Sequence, residues 1–196
     1  MKQYQWWIEN VPKETEMFIG WLGTLKDVSR VWLRDFIREN SIKSALDVAC
    51  GACIDKEGFD YDNLDVKYKG IDISEFLVSR NKERGYDCEI GNIEDIPEPD
   101  NSWELVYGRH IVEHLEYYEK AVAQMCRVAT RYVVIIHFIP MPESDEPKTR
   151  ELNGLEVYHN RYGESKFVEY CKTFGEVKRF QMEDSKQSIT VIELRR

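Results

Sequence analysis

The chain reads as an α/β protein built on one mostly parallel sheet with helices on both faces. Three observations predict this. From residue 44 onward, short apolar strand-like runs alternate with helical segments, the signature of parallel strands joined by crossovers. The run 132–138 is apolar almost throughout, as a central strand covered on both faces must be. The last two runs, 176–182 and 188–194, are joined by only 183–187, too short for a crossover, so they pair antiparallel and place one antiparallel edge element on the sheet.

The elements follow in order. Residues 1–12 are aromatic and irregular, with Tyr4, Trp6, Trp7 and Pro12. From 13 to 39, Phe18, Leu22, Leu25, Val28, Trp32 and Phe36 recur at spacings of three and four, which predicts one helix with a single apolar stripe. This N-terminal helical cap packs on the core and is compatible with a cover over a site. A strand over 44–49 ends in Cys50-Gly51-Ala52-Cys53. The stretch 54–66 carries Gly58, Asp60, Asp62, Asn63 and Asp65 and predicts a short or irregular helix. A second strand covers 68–73, with Ser74 as N-cap of a helix over 75–84 and Gly85 as its stop. Strands over 86–90 and 103–107 flank a polar loop over 92–101, and a helix covers 118–129. After the run 132–138 comes a long loop over 140–155, within a substrate-side segment 139–162, then a helix over 164–173 and the terminal pair. Seven strands result.

The length fits one domain, residues 1–196. With 36 acidic against 27 basic side chains the formal net charge is −9, which argues against a nucleic-acid scaffold but leaves room for a small basic pocket. No apolar run approaches the roughly 20 residues of a membrane span. The opening residues show no apolar export core, and five cysteines, an odd number, read as reduced thiols. A cytoplasmic location is the expectation. Oligomeric state is not readable.

In an open α/β sheet, ligands bind beyond the carboxyl ends of the strands. Three segments should meet there. The turn from Asp47 to Cys53 offers small residues that let a ligand approach the backbone. Asp72 ends the next strand, and a carboxylate roughly 20 residues beyond the first turn suits a grip on ribose hydroxyls. Gly91-Asn92-Ile93 follows the third strand, where an amide can pair with an adenine edge and Ile93 or Ile73 can cover a ring face.

The segments LDVACGACID, KGIDIS and GNIEDIPEPDNSWELVYGRHIVEHL, collinear between about 44 and 138, resemble the class I S-adenosylmethionine-dependent methyltransferases, in particular the small-molecule type 11 group. The resemblance implies a Rossmann-like methyltransferase fold, S-adenosylmethionine as cofactor with S-adenosylhomocysteine as product, and methyl transfer to O or N of a small-molecule acceptor. It implies that Asp47 orders the turn near the methionine amino group, that Ala49 and Gly51 pass beneath the methionine and ribose, and that Asp72 takes the ribose hydroxyls. Ile73 would pack on adenine, Asn92 would face its amino group with Ile93 beside it, and Arg109 would touch the methionine portion through its backbone. Ala49 and Cys53 stand where the family has glycine, and neither adopts a positive φ cheaply.

His110 and His137, near the exits of their strands, are candidates for accepting a proton from the acceptor. Glu113-His114 reads as structural. Tyr158, His159 and Arg161 belong to a polar-aromatic cluster on the expected substrate side, where Arg161 can pair with a carboxylate or phosphate; with Trp6, Trp7 and Tyr107 it would line an acceptor pocket. Cys50-x-x-Cys53 is half a metal set, and no second pair or paired histidines complete it, so two small residues in a tight turn is the better account and no metal is expected. The acidic loop 60–65 lacks the closing Glu of a calcium site and reads as solvated. Two alternatives stand beside the methyltransferase: a non-catalytic Rossmann-like interaction module with a degenerate cofactor site, and a nicotinamide-dependent oxidoreductase. The latter needs G-x-G-x-x-G, of which only Gly51 is present.

Overall fold

The computed structural model describes residues 2–13, 15–182 and 185–195. Of the expected connection 183–187, Glu183 and Asp184 lie outside the described residues. The strands are β1 (Ser44–Val48), β2 (Lys67–Asp72), β3 (Cys88–Ile90), β4 (Trp103–Arg109), β5 (Ala129–His137), β6 (Thr149–Leu152), β7 (Leu155–Tyr158), β8 (Gly175–Gln181) and β9 (Ser188–Leu194). The helices are α1 (Lys2–Glu9), α2 (Thr15–Trp21), α3 (Val28–Glu39), α4 (Ile54–Tyr61), α5 (Glu75–Glu83), α6 (Glu119–Val128) and α7 (Glu164–Lys172).

Seven of the described strands make one sheet in the order β3-β2-β1-β4-β5-β9-β8. The first five are parallel, and β9 runs antiparallel between β5 and β8. The strand order reverses direction at β1 and β4, which opens a crevice beyond their carboxyl ends. The two-residue period of a strand sends alternate side chains to opposite faces. On β5, Val133 and Ile135 join Val122 and Met125 of α6 and Phe167 of α7, while Val134 and Ile136 join Leu33 and Ile37 of α3 and Phe59 of α4. Both faces are therefore covered, as the apolar run 132–138 requires. A third cluster of Trp6, Val11, Phe18, Leu77 and Val157 lies over the crevice as a roof. No helix among the described residues is long and apolar enough to cross a membrane.

The structure departs from the sequence reading in three places. The segment 1–12 is not irregular: α1 forms, with Tyr4 and Trp6 buried. The single helix over 13–39 is two helices. Gly23 adopts φ +78, and Asp27 caps α3 by accepting from the Ser29 amide at 3.1 Å, so the chain stops and restarts. The apolar stripe accordingly divides, Phe18 and Leu22 serving the roof and Trp32 and Phe36 lying partly buried against the sheet, whose core is filled from α3 by Leu33 and Ile37 instead. The expected long loop contains the hairpin β6–β7, turned by Asn153 (φ 52) and Gly154 (φ 79). Two consecutive positive φ angles are what a tight hairpin demands, and Asn-Gly supplies them at low strain. Elsewhere the reading holds: α4 is short, and Gly85 follows α5 at φ +82. Ser74 stands at the N-cap of α5 without a capping bond from its hydroxyl; Asp72 instead accepts the Ser74 amide at 2.9 Å.

Candidate active site

The turn after β1 is tightly wound. Ala49, Gly51 and Cys53 all take left-handed backbone, at φ 65, 55 and 56. For Ala49 and Cys53 this stores roughly 1–2 kcal/mol each, strain of the kind found at functional sites. Neighbours hold the turn in place. The Gly51 amide donates to Asp72 Oδ2 at 2.9 Å, and the Asn81 amide donates to Gly51 O at 2.8 Å. Arg84 donates to Ala52 O at 2.9 Å. Asp72 thus spends one lone pair of each oxygen on the chain, and a carboxylate offers about four acceptor positions. Burial pushes its pKa up.

Behind the turn lies a buried polar floor. Asp47 accepts from the Tyr68 hydroxyl at 3.0 Å, and burial together with the charge of Asp55 pushes its carboxyl well above the ordinary range. Arg30 of α3 pairs with Asp55 at 2.5 Å, both buried. Arg109, at the end of β4, pairs with Asp27 at 3.0 Å and donates to Ser29 Oγ at 3.2 Å, which ties α3 to the sheet.

A cavity of about 570 Å³ opens above this floor, within the range of small-molecule sites. Its roof is Tyr4, Trp7, Phe18 and Leu22 from α1, α2 and the residue after α2, with Leu152 and Val157 from the hairpin. The Tyr4 hydroxyl donates to Glu94, closing α1 onto the loop that follows β3. At the end away from Asp72 stand rings. Phe138 lies 5.6 Å from His110, 5.7 Å from His114 and 4.9 Å from His159 between ring centres, and Trp7 sits 4.8 Å from His114. The pKa of all three imidazoles is lowered, chiefly by burial. His110, with Arg109 adding to the effect, is pushed down to about 2. His110 also has a left-handed backbone (φ 57), and its buried Nε2 has no hydrogen-bond partner. His114 Nδ1 lies 2.8 Å from Tyr158 O. A carbonyl can only accept, so that nitrogen carries the proton and Nε2 keeps its lone pair.

The structure brings together Asp47, Ala49, Gly51, Asp72, Ile73, Asn92, Ile93, Arg109, His110 and His159 around this cavity. It does not bring His137, Tyr158 or Arg161 there. His137 is 2% exposed, within 3.4 Å of Glu113 and 3.3 Å of Thr190, and packs against Phe167 on the far side of β5. By the two-residue strand period His137 shares the face of Val133 and Ile135, which turns it toward Phe167 of α7. Arg161 pairs with Glu146 at 2.8 Å and donates to Pro140 O, fastening the base of the hairpin. Tyr158 contributes its carbonyl to His114. Trp6 and Tyr107 are buried beside the site and do not line it, whereas Trp7 does. Sequence reasoning set His114 aside as structural and missed Tyr4, Phe138 and Arg150, which also line the cavity. A helical phase for 2–9 would have found Tyr4; nothing local marks His114 or Phe138.

Comparison with known proteins agrees with this architecture. Residues 46–136 match the family model of a methyltransferase domain. Over 129 residues the chain is 31% identical to ajmaline N-methyltransferase of Rauvolfia serpentina; the match covers 60% of this chain and 43% of that protein, so the chain aligns with less than half of its relative. Among solved structures, Streptomyces venezuelae DesVI superposes with a TM-score of 0.71 at 13% identity, covering 95% of this chain and 99% of that one. An S-adenosylmethionine-dependent methyltransferase of Clostridium acetobutylicum superposes at 0.64 with 11% identity, covering 84% and 90%. These likenesses show the same fold. The matched segment spans the turn, Asp72, the Asn92 loop and His110, and the likenesses support a class I S-adenosylmethionine-dependent methyltransferase with S-adenosylmethionine as cofactor.

Proposed function

We propose that this protein transfers a methyl group from S-adenosylmethionine to oxygen or nitrogen of a small-molecule acceptor. The observation that carries the reading is the two-ended cavity: one end at the tips of β1, β2 and β3 with Asp72, Asn92 and Ile93, and a ring-lined end of Trp7, His110, His114, Phe138 and His159 beneath the roof. When bound, the cofactor supplies a methyl group already activated on a sulfonium. The chain's work is then to hold donor and acceptor in line and to keep water out.

The residues present fit that donor. Asp72 has two acceptor positions left for a ribose diol. Ile73 and Ile93 flank the space for a base, with Asn92 at its edge; the Asn92 Oδ1 already accepts the Glu94 amide at 2.9 Å, which fixes the side chain's orientation. Asp47, Ala49 and Gly51 form the bed beneath the amino-acid portion, and Arg109 acts there through the floor it builds with Asp27 and Ser29. At the acceptor end His110 lines the cavity and is our candidate for accepting an O–H or N–H from the acceptor. Its resistance to protonation makes it a group that orients the nucleophile rather than one that stores the proton. The plant relative's own name is that of an N-methyltransferase, which puts amines first in an acceptor screen. A small organic acceptor suits the roofed, ring-lined cavity and the net charge of −9 better than nucleic acid does.

Calorimetric titration with S-adenosylmethionine, S-adenosylhomocysteine and NAD, followed by transfer of labelled methyl to a panel of small amines and alcohols, tests the reading. Selective binding of the first two and labelling of at least one acceptor is expected. Binding without labelling of any acceptor, or no binding by folded protein, would return the chain to the non-catalytic alternative.

A further inference from the structure

Three sulfurs meet beneath the turn. Cys50 and Cys53 come from the turn itself, and Cys88 from the first position of β3. The Cys88 Sγ lies 3.2 Å from that of Cys53 and 4.0 Å from that of Cys50, and all three lie within 4.8 Å of one another. All are free thiols, exposed by only 8, 0 and 2% in chain order. Sequence spacing showed half of this set; the third member arrives from a different strand, 35 positions beyond Cys53. Gly70 of β2, paired in register with Cys88, makes the room: a Cβ there would stand 2.8 Å from the Cys50 Sγ and 2.9 Å from the Cys88 Sγ. Space that a side chain would fill on any other residue is filled here by sulfur.

The spacing has a chemical reading. A metal–sulfur bond of about 2.3 Å puts three sulfurs in one plane about 4 Å apart. One observed pair already has that separation, and the short pair needs to open by less than an ångström. A fourth ligand is not at hand. Among the described residues no histidine or carboxylate joins the group, and both oxygens of Asp72 are engaged by the Gly51 and Ser74 amides. Zinc, which favours four ligands in a tetrahedron, is poorly served, whereas soft thiolate donors select Cu(I). We propose that Cys50, Cys53 and Cys88 form a three-sulfur site for one soft cation of the Cu(I) type.

Binding would release three thiol protons to solvent as three sulfur–copper bonds form, leaving a complex of net charge −2 and changing no oxidation state. Two features oppose that charge. Cys53 is the N-cap of α4, where the helix dipole favours a thiolate, and the Arg84 guanidinium is held on Ala52 O beside the turn. Cys50 also lines the cavity, and its neighbour Gly51 carries the bond to Asp72. Occupancy would therefore pin the same turn that receives the donor, and by linkage each ligand would alter the other's affinity by one factor.

The test uses the reduced 196-residue chain without air. Cu(I) is titrated against a coloured competing chelator, and the copper-loaded protein is examined by X-ray absorption. One equivalent retained against the chelator, with three sulfur neighbours and no light-atom neighbour, is expected. Cys88→Ser and Cys53→Ser should each weaken retention by more than the roughly hundredfold that a lost outer-shell contact removes. Cys171→Ser, buried in α7 away from the cluster, should retain copper as the unaltered chain does, and circular dichroism confirms that each variant is folded. The proposal falls if the unaltered protein yields all copper to the chelator, if the shell holds fewer than three sulfurs, or if folded Cys88→Ser retains copper equally well. It falls too if the reduced protein ignores Cu(I) while air links Cys53 to Cys88, which would make the sulfurs a redox pair.

Discussion

Asp72→Ala separates what this carboxylate does for the chain from what it does for the cofactor. In the structure it accepts two buried amides, Gly51 and Ser74, each at 2.9 Å. Hydrogen bonds to a charged group contribute about 1.5–3 kcal/mol each. Removing both would destabilise the fold by several kcal/mol, offset in part because the variant no longer buries a carboxylate whose ionisation burial already opposes. A net loss of about 2 kcal/mol is expected in denaturant titration. The two remaining acceptor positions, given to a ribose diol, are worth about 3 kcal/mol together, which is roughly a hundredfold in affinity for S-adenosylhomocysteine by calorimetry. Structural collapse of the turn would lower affinity as well, so the cycle is completed with an analogue lacking the 2′-hydroxyl. The unaltered protein should discriminate against that analogue about tenfold, and Asp72→Ala should not discriminate at all. Equal discrimination by both proteins would show that Asp72 supports the turn without touching the ribose, and the donor pose inferred from β2 would be wrong.

Three further outcomes are expected. His110→Ala should lower kcat roughly tenfold, the worth of one well-placed hydrogen bond, while leaving S-adenosylhomocysteine affinity within a factor of about two; an unchanged kcat on a working acceptor would remove it from the site. Gly154→Ala places a side chain at φ +79, where there is space but a backbone penalty of about 1 kcal/mol. Acceptor KM should rise several-fold with donor binding unaltered, and matched changes in both would mean that the hairpin is not confined to the acceptor end. Asp27 sets an acid limit: burial opposes its charge, but Arg109, Ser29 and Gln187 bring its carboxyl from 3.8 to about 2. A group depressed in the fold gives its full stabilisation above its unfolded value and loses it as pH falls through the folded one. Asp27→Asn should accordingly flatten the stability profile between about pH 4 and pH 2, and a profile of unchanged slope there would contradict the Asp27–Arg109 pairing.

Much of the core was legible because its signals are local. Apolar runs of five to seven residues over 44–49, 103–107 and 132–138 define strands wherever they sit, and Asp72 is placed by its position at a strand end. The roof was not legible, for two different reasons. The Asn153-Gly154 turn and the Gly23–Asp27 break were written in the sequence, but Pro142, Pro147 and the continuous helical spacing of Phe18 to Phe36 outweighed them. By contrast, that His114 lines the cavity and His137 does not depends on which way one strand residue points and on where a carbonyl 44 positions away comes to rest. Similarly, two cysteines in a turn become three in a cluster only once β3 is laid beside β2.

The roof has one more property, which follows from where its parts lie along the chain. α1 packs on β7, so the cover joins the first ten residues to the hairpin ending at residue 158. Contacts between segments so distant carry the largest loop-closure entropy and form late. A ribosome must release nearly the whole chain before the cavity can be closed, so the nascent core stands with its crevice open. α1 pairs with no strand of the main sheet, so opening it would leave the strand pairing intact while parting Tyr4 from Leu46, Val48 and Ile71. On the proposed function, entry of an acceptor would need such an opening, and its frequency would set an upper bound on turnover.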